Sequence, residues 1–369
     1  MISFPRFNGF WLVKGNRGVL LLRFLIIKLS AFGDIIHSLP LIDCVREYSE
    51  RWGKEVEIHW MIEEKWSPVL KSFPGIDKII LTKTKVWRKS PLKKTTWRQI
   101  AAFCSNLRQT EYDFVLDING LIRSAVLARI ARADLRAGFS ADSEICRERQ
   151  GTYLLNRTFS IPHGHVVDQT IGLLERVLDI TISRTMNPYL PPDEKPAQRA
   201  GELLDKMNLR TGRFAVIAAG GGWQTKLLQA ESIARFCNTV NQYGIKPVLS
   251  WAGGDEAKRA KKIAELADCE VQELGDIPID VFIEILRSSR LVIGPDTGTV
   301  HAASAVKTPT VSYYGPSSAQ YSGPRRISDR TVQISPPCGP CFKRKCDKGL
   351  CTRLKTGKVL DEIRYQLEH

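Results

Sequence analysis

Apolar residues come along this chain in short solid runs, each followed by a longer stretch in which they return every three or four positions. "LLLRFLIIK" (20–28) is the first run. It lacks the in–out alternation of a half-exposed strand, so it predicts a strand buried on both faces, as in a parallel sheet. Residues 35–51 then carry a helical period, with Pro40 expected to kink or end its first turn. "EVEIHWMI" (55–62), "DKIILT" (77–82), "YDFVLDI" (112–118) and "LRAGF" (135–139) predict further strands, with helices near 95–109 and 121–133. The same rhythm restarts at "RFAVIAA" (213–219) and continues through "KPVLSWAGG" (246–254), "LVIGPD" (291–296) and "TPTVSYYG" (308–315), with helices near 229–242 and 255–267. Strand–helix–strand alternation requires a mostly parallel sheet with helices on both faces.

Between the two series lies "TMNPYLPPDEKP" (185–196), whose four prolines predict a stretch without regular structure. The chain's 369 residues also exceed what one hydrophobic core usually serves. The expected organisation is therefore an N-terminal extension (1–19), a Rossmann-like domain (20–184), a linker (185–197), a second Rossmann-like domain with a Cys-rich tail (198–357) and a C-terminal helix (358–369), the two domains facing a cleft.

Chemistry is expected at the strand ends, because ligands of open α/β sheets bind beyond the carboxyl ends of the strands. "GPDTGTVHAASA" (294–305) puts Asp296, Thr297 and Gly298 between a strand and a small-residue helix. That pattern serves either an anion site at a helix start or an ordinary Asp cap. His301, one turn on, either reaches the same anion or packs. "GGGWQTK" (220–226) is a flexible loop from which Lys226 can stretch toward phosphate; it is neither a Walker loop nor a dinucleotide fingerprint. "WAGGDEAKRA" (251–260) offers Glu256, either to ribose hydroxyls or to solvent at a helix start. In "LIIKLSAFGDIIHSLP" (25–40), Gly33 is expected to make a tight bend that places Asp34 at a helix start, as a general base or as a cap.

Lys and Arg number 54 against 39 acids, a net charge of +15, which favours an anionic partner. From Lys78 to Arg108 there are nine basic residues and no acid, with Trp87 and Trp97 between them. Such a stretch suits nucleic acid or a phosphorylated, membrane-bound acceptor equally well. No apolar stretch is long enough to span a bilayer. Nine cysteines in a chain of this size fit reduced thiols in a cytoplasm. Cys338, Cys341, Cys346 and Cys351 follow C-x2-C-x4-C-x4-C, compact enough for a metal, although no second CxxC completes a zinc ribbon and the Lys-Arg-Lys run inside it suits anions.

"LIIKLSAFGDIIHSLP", "DINGLIRSA", "GGGWQTK", "GPDTGTVHAASA" and "TVSYYGP", in this order, resemble the ADP-heptose:lipopolysaccharide heptosyltransferases of glycosyltransferase family 9, and heptosyltransferase I most of all. The resemblance runs from about Leu20 onward. It implies a GT-B fold and inverting heptose transfer from ADP-heptose to Kdo–lipid A, with no metal and no cofactor. It implies a cytoplasmic enzyme peripheral to the anionic inner-membrane surface, and no nucleic-acid partner. Asp34 and Lys226 would be catalytic. Thr225, Lys226, Glu256, Asp296, Thr297, Gly298 and His301 would bind the donor, and Ser30, Gly33, Arg88, Lys89, Arg123 and Arg147 the acceptor. One departure stands out: "LLQ" (227–229) replaces the family's aromatic-Pro pair after the lysine. Rival readings are a relative with another donor or acceptor, such as heptosyltransferase II, a basic nucleic-acid-binding protein, and an inactive nucleotide-sugar binder.

Overall fold

The computed structural model describes residues 21–71, 73–182, 186–353 and 355–369. The extension expected over residues 1–19 lies outside them. Strands β1 (Leu22–Ile27), β2 (Val56–Glu63), β3 (Lys78–Thr82), β4 (Glu111–Asp117), β5 (Arg132–Phe139) and β6 (Arg157–Phe159) form one sheet in the order β3-β2-β1-β4-β5-β6. Strands β7 (Phe214–Ala218), β8 (Lys246–Ser250), β9 (Gln272–Leu274), β10 (Leu291–Pro295), β11 (Thr310–Tyr314) and β12 (Asp329–Gln333) form the other, ordered β12-β11-β10-β7-β8-β9. Every neighbouring pair is parallel. Counted from its own first strand, each sheet has the same doubly wound order, reversing direction between β1 and β4 in one and between β7 and β10 in the other. Those reversals are where such sheets open a crevice for a ligand.

The solid apolar runs become the central strands. Phe24, Leu25, Ile26 and Ile27 of β1 are fully buried, and Ile217 of β7 pairs in register with Ile293 of β10. One core gathers Leu25, Ile27, Met61, Val115 and Leu127. The other gathers Ile217, Ile293, Val311, Phe236 and Val240, and it is closed by Val359 and Ile363 of the C-terminal helix Gly357–Glu368.

The chain divides into two compact units. One takes the residues up to Ala31 together with Ser38–Met186; the other takes Phe32–His37 and Asn187–His369. The sequence pattern assigned residues 32–37 to the first domain, whereas the structure groups them with the second unit. Pro40 does break the helical stretch: one helix covers Phe32–Ser38 and the next, Pro40–Trp52, has the proline in its first turn. There the missing N–H costs nothing. The proline-rich stretch 185–196 is not wholly irregular. A helix begins inside it at Glu194 and runs to Lys206, with Pro196 in its first turn, where amides have no intrahelical acceptor to lose.

Asp117 ends β4 in full burial. Burial pushes its carboxyl up to about 6, against hydrogen bonds from the Asn119 N–H (3.0 Å) and the Ser124 hydroxyl (3.0 Å) and the charge of Lys28. A carboxyl that binds its proton more tightly when folded adds stability below its unfolded pKa and loses it as pH rises through about 6. Asp117→Asn is therefore expected to gain on the wild type by ~1.4 kcal/mol between pH 5 and pH 7.5. Urea melts of both proteins at the two pH values test this; a pH-independent gap would refute it.

Candidate functional site

In the second unit the loops after β7 and β10, which flank the reversal, meet through an ion pair. Lys226 lies on a single 3-10 turn, Gln224–Lys226. Its Nζ donates to Asp296 Oδ2 at 2.5 Å and to the Asp296 carbonyl at 2.8 Å. His301 Nε2 lies 3.0 Å from the other carboxylate oxygen, Oδ1, and the Ser322 hydroxyl donates to it at 3.4 Å. The Lys226 and Asp296 side chains are only 12% and 10% exposed. Burial alone would raise the Asp296 carboxyl; the His301 hydrogen bond and the Lys226 charge outweigh it and hold the group far below the usual carboxylate range. Thr297 precedes the helix Gly298–Ala305, so first-turn amides open beside this pair. Thr225 is buried, and its hydroxyl donates to the Lys343 carbonyl at 2.7 Å.

The helix Phe32–Ser38 is seated on the same turn. A Cβ on Gly33 would come within 2.9 Å of His301 Cδ2 and 3.3 Å of Gly298 Cα, and a Cβ on Gly298 would run into the Phe32 ring. Gly33 is helical and does not make the tight bend the sequence suggested; it is small because another backbone passes against it. His37 is buried and its ring centroid lies 4.3 Å from that of His301. Asp34 sits in the first turn of this helix.

Glu256 lies in the first turn of the helix Gly254–Leu266. Its Oε2 accepts from the Ala252 N–H at 3.0 Å, and its carboxylate lies where a Cβ on Gly220 would have to be. It is thus drawn to the glycine-rich loop instead of standing in open solvent. Two neighbours were missed by sequence reasoning. Arg259 Nε donates to the Ala219 carbonyl at 2.7 Å, holding the end of β7, and Trp223 carries Lys226 Nζ 4.3 Å from its ring centre.

The first unit repeats the arrangement at its own reversal. Lys28 Nζ donates to the Ile118 carbonyl at 2.9 Å, Leu29 N–H to Asn119 Oδ1 at 3.1 Å, and Arg123 to the Ser30 hydroxyl at 3.0 Å. Lys85 is exposed, yet partial desolvation and then the charge of Arg123 hold its ammonium down, with Lys65 and Arg88 adding to this and Glu63 opposing. Arg88 and Lys89 are exposed at the end of the helix Thr84–Lys89. Arg147 is exposed, and its backbone N–H donates to the Gly120 carbonyl at 3.0 Å.

All four cysteines of the tail carry free thiols: Cys338 and Cys346 are exposed, Cys341 is half-buried and Cys351 is buried. Burial pushes the Cys351 thiol up, and the charges of Cys341, Cys338 and Cys346 add to it. Among the described residues no group of three or more His, Cys, Asp or Glu side chains is arranged to hold a metal ion.

Comparison with known proteins adds a family to this geometry. The model of "Glycosyltransferase family 9 (heptosyltransferase)" matches residues 100–351. Lipopolysaccharide heptosyltransferase 1 of Pseudomonas aeruginosa is 27% identical over 335 residues, covering 88% of this chain and 87% of its own length. Its namesake in Escherichia coli K12 is 25% identical over 296 residues, covering 80% and 88%. Among solved structures, E. coli heptosyltransferase WaaC with ADP aligns at a TM-score of 0.73 and 22% identity over 94% of this chain and all of its own. The family 9 enzyme of Veillonella parvula aligns at 0.77 and 18% over 94% and 97%.

Proposed function

The chain belongs to glycosyltransferase family 9 and has its α/β GT-B fold, and from that premise we propose that it transfers heptose from ADP-heptose to the Kdo region of the lipopolysaccharide inner core, with Kdo–lipid A as acceptor. The observation that carries this reading is the buried Lys226–Asp296–His301 cluster at the reversal of the second sheet, with the helix of Asp34 packed on the same turn. Relatives that bear the name lipopolysaccharide heptosyltransferase 1 support heptose as the transferred sugar and lipopolysaccharide as the acceptor, and E. coli heptosyltransferase WaaC solved with ADP-2-deoxy-2-fluoro heptose supports an ADP-linked donor.

In the proposed reaction Asp34 takes the proton of the acceptor hydroxyl as its oxygen attacks the anomeric carbon from the face opposite ADP. A carbon–oxygen bond forms to the acceptor, the bond to the diphosphate breaks, and the configuration inverts through an oxocarbenium-like transition state. Negative charge grows on the departing diphosphate. Lys226 and the first-turn amides after Thr297 meet it, a task that a divalent ion performs in metal-dependent sugar transfer. Glu256 accepts from the ribose hydroxyls. Arg88, Lys89, Arg123 and Arg147 of the first unit receive the phosphorylated acceptor.

No helix among the described residues is long and apolar enough to cross a membrane. The helices Thr84–Lys89 and Lys94–Leu107 and the turn between them instead present basic side chains, with Leu92 of the turn and Trp97 exposed, 96% and 61%, which suits contact with anionic headgroups.

The test offers purified protein ADP-heptose and other nucleotide sugars with Kdo–lipid A and follows nucleotide release and product mass. Release is expected only with ADP-heptose and acceptor together, and a chelator is expected to leave it unchanged. A need for an acceptor already carrying heptose would point to heptosyltransferase II chemistry; release abolished by chelator would refute the metal-free mechanism.

A further inference from the structure

The run Lys343-Arg344-Lys345 between Cys341 and Cys346 is not used by the reading above, yet its backbone is built into the loop of Lys226. Thr225, buried, donates its hydroxyl to the Lys343 carbonyl at 2.7 Å, and the Gln229 N–H donates to the Thr352 carbonyl at 3.1 Å. The segment is anchored on its other side where the Cys341 and Phe342 N–H groups both donate to the Pro316 carbonyl, at 3.0 and 2.8 Å. Between these anchors the Arg344 guanidinium lies 5.3 Å from the centre of the Trp223 ring, the same ring that carries Lys226 Nζ at 4.3 Å. One indole thus positions two cations from segments more than a hundred residues apart in sequence.

The two cations differ in what they already hold. Lys226 is committed to the Asp296 carboxylate and carbonyl, so that pair brings no net charge to an incoming anion. Arg344 has no carboxylate partner among the described residues; the residue is exposed and its guanidinium lies over the Trp223 ring. A diphosphate brings more negative charge than a neutralised Lys–Asp pair can balance. A guanidinium is suited to it, being permanently charged, planar and able to bind two phosphate oxygens at once.

We propose that Arg344, held on Trp223 by the cysteine-rich segment, is the second cation of the donor site and binds the diphosphate of the nucleotide sugar. This deepens the donor reading and rests on it. It gives the 338–351 segment a job that needs no metal: completing the wall beside Lys226.

The test titrates the full-length protein calorimetrically with ADP and measures adenosine by competition. Wild-type protein that fails to bind ADP would overturn the donor reading itself. Given wild-type binding, Arg344→Ala is expected to weaken ADP about tenfold while leaving adenosine unchanged, the scale of one charge-assisted contact. Arg344→Lys is expected to recover part of the loss, and Lys345→Ala, on the adjacent exposed residue, to bind ADP as the wild type does. Unchanged ADP affinity in Arg344→Ala would overturn the assignment. So would an equal loss for adenosine, which carries no phosphate and would report a distorted loop.

Discussion

Asp34→Asn is expected to bind ADP within about twofold of the wild type and to turn over at least about a hundredfold more slowly, the usual scale for losing a general base. The amide keeps the shape of the side chain but cannot accept the acceptor's proton. Phe32 and Gly33 against Gly298 and His301, and His37 against His301, also seat its helix, so the helix does not depend on the Asp34 carboxylate alone. The ion pair beyond them does not involve the helix. Calorimetry with ADP and initial rates with ADP-heptose separate the two effects. Near-normal turnover would refute the base assignment, and loss of ADP binding with turnover would show that the residue supports the turn instead.

How far the sequence reached follows from what each element buries. The runs that became β1, β2, β4, β7, β10 and β11 were legible because central parallel strands are covered on both faces and read as unbroken apolar stretches. β6 and β9 are three-residue edge strands, and β12 is "DRTVQ"; each carries too few apolar positions to form a run. The loops after β7 and β10 were legible as ligand loops because glycine, lysine and aspartate follow buried strands there. Their pairing was not. Lys226 meets Asp296 across 70 residues and Arg123 meets Ser30 across 93, because the strand order places those loops side by side. The contact of Thr225 with the cysteine-rich segment spans 118 residues and depends on where that segment folds back. Gly33 shows the same limit at short range: a glycine before an aspartate reads as a bend, and only the neighbouring helix reveals that it makes room for Gly298.

The Lys226–Asp296 pair separates support from catalysis through a cycle of two substitutions. Lys226→Gln is expected to lower kcat/KM by a factor of about a hundred to a thousand, as removal of a group facing developing charge does. It also leaves a carboxylate only 10% exposed without its ammonium, and breaking a buried pair costs about 3 kcal/mol. Asp296→Asn strands the lysine and is expected to cost a similar amount. The double variant has no buried charge to compensate, so its stability should return toward the wild type by more than ~1 kcal/mol relative to the sum of the singles, while its activity stays lost. The pH dependence gives the sign independently. Asp296 is held below the usual carboxylate range against its own burial, so its stabilising contribution is complete above the unfolded pKa and is lost only as pH falls through the much lower folded one. Without the Lys226 charge the folded pKa rises toward the unfolded one, so less stability is lost on acidification, and the acid limb of the melting-temperature profile should be shallower in Lys226→Gln and shallowest in Asp296→Asn, which has no carboxyl to protonate there. Additive stabilities in the double variant, or four superimposable acid limbs, would mean that the two side chains do not depend on each other, and the ion pair would then explain neither the shape of the turn nor its charge.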